Sequence, residues 1–190
     1  MKNFYRKVAF GLGRDDKTPS DPLKWATNQL NEIPEFSWKG KILPEKELRK
    51  YYRDYVYGDR KVLRKKFKND KMGYKAAKNK ARADTGQKFW RNLEIAIRHK
   101  EATSGSHPVL AKLWYFWGNH FTISEKDFLA HYSTGAYQRE TIRANMNQTF
   151  EKLAYESTVA WAMIHHLDNA ENVGPKSEDA RAEWRKRKKR

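Results

Sequence analysis

Apolar residues recur at steps of three and four along most of this chain, and the longest such stripe is also the most aromatic. From His107 to Thr122, the residues Leu110, Leu113, Trp114, Trp117 and Phe121 share one helical face, and five of the nine residues of Leu113–Phe121 are aromatic. A face that apolar is not left in water. Burying each ring is worth roughly 2 to 3 kcal/mol of transfer free energy, so this helix is expected to be the core on which the other elements pack.

The same periodicity predicts the neighbouring elements. A short helix over 3–12 places Phe4, Val8 and Leu12 on one side and ends at Gly11 or Gly13. Ser20 or Asp21 caps a second helix with Pro22 in its first turn, and it stops before Pro34. Residues 35–43 read as a loop whose rings, Phe36 and Trp38, dock on the core. A long amphipathic helix runs from Pro44 to about Lys68, with Gly58 as its expected break, and a polar linker over 65–71 leads to a helical tract from Tyr74 to His99 interrupted at Gly86. Pro108 opens the aromatic helix. Ser124 to Asp127 reads as a capping box for the next helix, Gly135 as its end, and Ala136 to Tyr155 as one helix with Ile142, Met146, Thr149, Phe150 and Leu153 along its stripe. Ser157 or Thr158 is expected to cap a last core helix ending at Asp168-Asn169, after which Gly174-Pro175 begins a tail. No alternating run persists for a strand's length. The fold expected is all-α, an irregular multi-helix bundle around a buried aromatic helix. Its expected parts are N-terminal helices (1–40), a basic helical segment (41–105), the aromatic core (106–170) and a disordered basic tail (171–190).

Charge sharpens this division. The net charge of +17 is uneven: residues 41–100 carry +13, 101–170 carry −2 and 171–190 carry +4. A Lys-rich segment beside a neutral aromatic one is the electrostatic footprint of a site for phosphate-bearing partners, and equally that of a solvated helical surface. With 190 residues, one domain with a real core is expected. The absence of cysteine excludes disulfides and thiolate chemistry. The apolar run after Met1-Lys2 is shorter than a signal-peptide core, so no export signal is read, and the cytoplasm is the default compartment. No block reaches the roughly 18 apolar residues of a membrane span.

Candidate chemistry is sparse. Six histidines, His99, His107, His120, His131, His165 and His166, raise a metal site, and His165 shares a helix face with Asp168 at i, i+3. The His-Glu-x-x-His pattern of zinc hydrolases is absent and the other histidines are scattered, so a metal-dependent hydrolase-like site stands only as an alternative and no metal is assigned. Ser104, Ser106, Ser124 and Ser157 fall in loops or caps without a nucleophile elbow, and Gly11-Leu12-Gly13-Arg14 lacks the glycine pattern of a phosphate loop. No cofactor is expected. For nucleic acid, the basic helices interleave Tyr51, Tyr52, Tyr55 and Tyr57, although these lie on the side expected to pack. Asn119, His120, Arg143, Asp168 and Asn169 are the candidate polar cluster: each is polar within or at the end of the most apolar helices, where an unpartnered group costs about 1 to 3 kcal/mol. The simpler expectation for them is a structural network in which Asp168 grips Arg143 bidentately.

The run Phe116-Trp117-Gly118-Asn119-His120-Phe121, followed by Ile142-Arg143, Phe150, Ala162-Met163 and Leu167-Asp168-Asn169, resembles the bacterial family catalogued as domain of unknown function 1800. Arg6-Lys7-Val8-Ala9-Phe10-Gly11 is similar to that family's opening, whereas residues 30–105 carry little of the resemblance and read as an insertion. Trp161 stands where the family has a proline before its Ala-Met pair. The resemblance implies an all-helical fold and a polar site, and no known activity. It also implies that the chain corresponds to the N-terminal part of longer relatives, which continue into Asn-Glu-Asn and Ala-Arg-Glu-Leu motifs. The expected partner is therefore the missing C-terminal region, or another protein covering the core, with nucleic acid as the alternative and an exposed apolar face beside the 136–167 helices.

Overall fold

The structure, a computed structural model, describes residues 2–12, 17–36, 38–125, 128–169 and 172–182. Among these residues it is all helical, with no strand. Helix α1 (Lys2–Val8) ends at Gly11, whose φ of 108° only glycine tolerates, and α2 (Pro22–Asn28) is capped by Asp21, which accepts from the Lys24 amide at 3.0 Å. Both pack through Ala9, Ala26 and Val109, with Trp25 and Phe4 alongside.

Helix α3 (Glu45–Arg53) passes through a π-helical segment (Asp54–Asp59) into α4 (Arg60–Lys66). Gly58 therefore does not break the helix. The chain stays helical by widening its turn, and the glycine, exposed and with open space where a Cβ would stand, is not required by packing. Asp70 caps α5 (Lys71–Asp84) through the Gly73 amide at 2.8 Å. Gly86, at φ 69°, makes the expected interruption before α6 (Gln87–Ser104).

The aromatic helix α7 (Pro108–His120) forms as its stripe requires, with proline in its first turn. Trp114 is 2% exposed, and its indole N–H donates to the Gln138 carbonyl at 2.6 Å. Around it close Leu110, Ile123, Tyr137, Ile142, Met146, Leu153 and Ala162, from α7, the helices after it and the loop between. The Tyr137 hydroxyl donates to the Phe121 carbonyl at 3.0 Å, satisfying a group that burial pushes up to about 12 in pKa. Phe36 docks on this core as expected. A second cluster, Leu43, Leu48, Tyr132 and Ala136, lies under Tyr52, Trp90 and Phe128.

Three sequence expectations for this half change. The first half of the capping-box reading holds no described cap, because Lys126 and Asp127 lie outside the described residues; the helix itself is α8 (Ala130–Ala136). Gly135 does not end it. A Cβ at Gly135 would stand 2.3 Å from Cβ of Glu94, so the glycine is there to let α8 cross α6 closely, and the helix runs on as a π segment over Tyr137–Arg143. The single helix expected over 136–155 is split by a turn in which the Asn145 amide donates to the Thr141 carbonyl at 2.8 Å, and Thr149 then caps α9 (Phe150–Val159). Side chains that bond their own backbone compete with helical continuation. Ser157 and Thr158 sit inside α9 rather than before α10 (Trp161–His166), and no side chain caps α10. Asp168, at φ 57°, ends it in the left-handed conformation. No helix among the described residues is long and apolar enough to cross a membrane.

Candidate functional site

The largest concavity is a groove of about 1420 Å³ between α3 and α10. Its α3 wall carries Lys46, Arg49, Lys50, Arg53 and, in the π segment, Tyr57. Those positions step by three and four, so a single basic stripe faces the groove, interrupted at its margins by Glu47 and Asp54. Trp161 and His165, one turn apart on α10, form the other wall. The Arg49 guanidinium lies over the Trp161 ring at 4.8 Å, while Tyr52 and His165 meet that ring edge-on at 6.4 and 5.1 Å. None of the four cations of the stripe stands in an ion pair among the described residues.

Beyond the groove, α4 and α5 form a helical hairpin of a different kind. Neither helix contributes a buried residue, and together they carry ten lysines and arginines against one aspartate. Arg60 and Arg64 hydrogen-bond the Tyr74 hydroxyl and lower its pKa, so the hairpin's own contacts are polar as well. Of the four tyrosines of this segment, Tyr55 is buried, Tyr52 is half-buried beside Phe128 and Tyr132, Tyr51 tilts against Trp90, and Tyr57 is 71% exposed. The tyrosine row therefore divides, with only its last member free of the core.

A third polar feature sits under the start of α3. Arg139, in the second π segment, donates to both carboxylate oxygens of Glu94, to Glu140 at 2.7 Å and to the Leu43 carbonyl at 2.7 Å. The Arg139 and Glu94 side chains are 9% and 8% exposed. Burial alone would lower the Arg139 pKa, but the hydrogen bond and charge of Glu94, with Glu140 behind them, outweigh it and raise it. Glu140 in turn accepts the Glu45 backbone N–H at 3.1 and 3.2 Å, tying α3 to the core. The Glu45 carboxyl is itself raised, by burial first and by Glu140, against the lowering pull of Arg49 and Arg139. Every arm of Arg139 is occupied, which makes it a structural cation, unlike those of the groove.

Residues 3–180 match the family described as protein of unknown function (DUF1800). The chain belongs to that family. No curated protein and no solved structure matches it. The DUF1800 match takes in the basic segment over 41–105 together with the aromatic core, and membership assigns no activity.

In this DUF1800 chain the five candidate polar residues occupy different surroundings. Asn119 and His120 are exposed at the end of α7, where the imidazole stacks on Phe116 and meets Trp117 and Phe121 edge-on. Asp168 and Asn169 are exposed after α10, Asn169 accepting from the Asn172 amide at 2.7 Å. Arg143 is buried and takes partners other than Asp168: it donates to the Pro34 carbonyl and lies 4.0 Å over the Phe36 ring and 5.7 Å from that of Trp114. Its pKa is lowered by burial, with Glu101 opposing. Among the described residues no group of three or more histidines and carboxylates could hold a metal ion. Ser124 does approach a histidine, its Oγ 3.5 Å from Nδ1 of His166, too long for an activated nucleophile. The α3 stripe was available to sequence reading from its spacing alone. The pairing of Arg139 with Glu94, 45 residues apart, left no local signal.

Proposed function

We propose that this chain is a helical nucleic-acid-binding module that performs no chemistry of its own and uses the surface of residues 41–100. The observation that carries the reading is the α4–α5 hairpin, which buries no residue and yet concentrates ten cations against one anion. Such a hairpin adds little to the core, since helices in proteins draw most of their stability from a packed apolar face. Its self-repulsion is relieved when phosphates neutralise it. Salt titration of binding to labelled oligonucleotides tests this. The affinity falls with log salt at a slope near −0.9 per phosphate contact on duplex DNA, or −0.7 on a single strand. Replacing Lys61, Lys65, Lys75 and Lys78 by glutamine flattens that slope by roughly three units on duplex. Absence of binding at low salt, or a slope indifferent to those substitutions, refutes it.

A second reading is favoured by a separate observation. Phe116 and Phe150 are 55% and 59% exposed, and Tyr155, Val159 and Leu167 extend the apolar exposure along α9 and past α10. We infer that a protein surface, whether a further region of the same protein or another chain, covers this face. Size-exclusion chromatography with light scattering checks it: self-association lost on Phe116→Ser with Phe150→Ser supports the reading, and a monomer at all concentrations counts against a second copy as the cover.

A further inference from the structure

We propose that the groove between α3 and α10 holds an unpaired nucleobase together with its phosphates, so that this chain binds single-stranded nucleic acid in preference to duplex; the inference rests on the nucleic-acid reading above. The basic stripe from Lys46 to Arg53 spans about 10 Å of helix axis at 1.5 Å per residue and directs four cations, none of them in an ion pair among the described residues, along one wall. Facing it, Trp161 is only half-buried, and its ring face is taken by the Arg49 guanidinium at 4.8 Å. A planar cation on an indole occupies the space a base would fill. Arg49 is released to a phosphate or stays as the upper layer of the stack when a base enters, and aromatic and arginine planes are both platforms for bases. Tyr57, exposed at the groove's end, offers a second ring to the next base. Glu47 and Asp54 oppose phosphate where they stand, and supply acceptors for the exocyclic amines of bases instead.

The size of the groove points the same way. Pockets for compact ligands enclose about 300 to 1,000 Å³, and an open trough of about 1420 Å³ suits a strand passing through it. Duplex DNA, by contrast, presents its bases already stacked, so it meets the cations and leaves Trp161 and Tyr57 without partners.

The test uses the full chain and three fluorescently labelled ligands of equal length: a single-stranded oligonucleotide, an abasic strand with the same phosphates, and the duplex. Trp161→Leu is expected to weaken binding of the intact strand by about five- to a hundredfold, the worth of one lost base stack, while leaving the abasic strand within about twofold. Trp161→Phe is expected to restore most of the loss. Tyr57→Ala, at an exposed position that does not threaten the fold, is expected to show the same selective effect in smaller measure. Equal losses on intact and abasic strands, no loss on the intact strand, or tighter binding of duplex than of single strand by the wild-type chain would each overturn the proposal. Binding whose salt slope depends on the hairpin lysines but ignores Trp161 and Tyr57 sinks the groove inference alone. Failure of the wild-type chain to bind any of the three ligands removes the nucleic-acid reading with it.

Discussion

Replacing Arg139 by methionine should be among the most damaging single changes in the chain. The guanidinium holds Glu94 through both carboxylate oxygens, at 2.8 to 3.2 Å, and that carboxylate is 8% exposed, so no water replaces the lost partner. Breaking a buried pair from one side costs about 3 to 5 kcal/mol. The Leu43 carbonyl loses a 2.7 Å donor, worth about 1 kcal/mol more. Glu140 suffers less, since it is partly exposed and keeps the Glu45 amide. The expected cost is therefore about 4 to 5 kcal/mol, a large share of the roughly 5 to 15 kcal/mol by which domains are stable. Urea unfolding followed by tryptophan fluorescence should show it as a midpoint lower by about 2 M for a slope near 2 kcal/mol per molar. Because the damage comes from an orphaned charge, Glu94→Gln added to Arg139→Met should recover about 2 kcal/mol or more. An Arg139→Met protein within 1 kcal/mol of wild type, or a double variant whose losses simply add, would show that the pair is not what holds this junction.

Other changes probe separate parts of the fold. Gly135→Ala should destabilise by about 1 to 3 kcal/mol in the same urea assay, although alanine is normally the better helix former by about 1 kcal/mol, because the new Cβ falls 2.3 and 2.4 Å from Cβ and Cγ of Glu94. Thr149→Ala should cost about 1 kcal/mol through the lost cap of α9, measurable in the thermal midpoint. Tyr137 titrates near 12 in the fold and near 10 when unfolded, so the unfolded chain loses its proton first and stability falls between those pH values, by about 2 to 3 kcal/mol. Tyr137→Phe should remove that share of the alkaline loss, the remainder belonging to Tyr55 and Tyr132, whose pKa values burial also raises.

The helical class and the central place of α7 were legible because a stripe of rings at three- and four-residue steps admits one solution, burial against other helices. Trp114 obeys that logic, whereas Phe116, one step off the stripe, stays exposed. What was illegible shares a cause: it depends on contacts between distant segments. Gly135 looks like a helix end in sequence and becomes a crossing point only when Glu94 arrives from α6. Arg143 looks like a partner for a nearby acid and is instead captured by Pro34 and Phe36, more than a hundred residues before it. The groove was half legible, since Lys46, Arg49, Lys50 and Arg53 share a face by spacing, but Trp161 joins them only through the packing of α10.

The two π segments, Asp54–Asp59 and Tyr137–Arg143, bear on how such a chain changes length over time. An extra residue in a strictly α-helical rod turns everything beyond it by about 100° and carries every buried side chain off its partner. A widened turn absorbs that residue where it stands, leaving the register on both sides intact. Helices interrupted in this way tolerate gain or loss of a single codon at the bulge: a relative one residue shorter at 54–59 closes its turn to α geometry and still presents the α3 stripe to α10, and one shorter at 137–143 keeps Ile142 in the core at the expense of the arginine arm that grips Glu94.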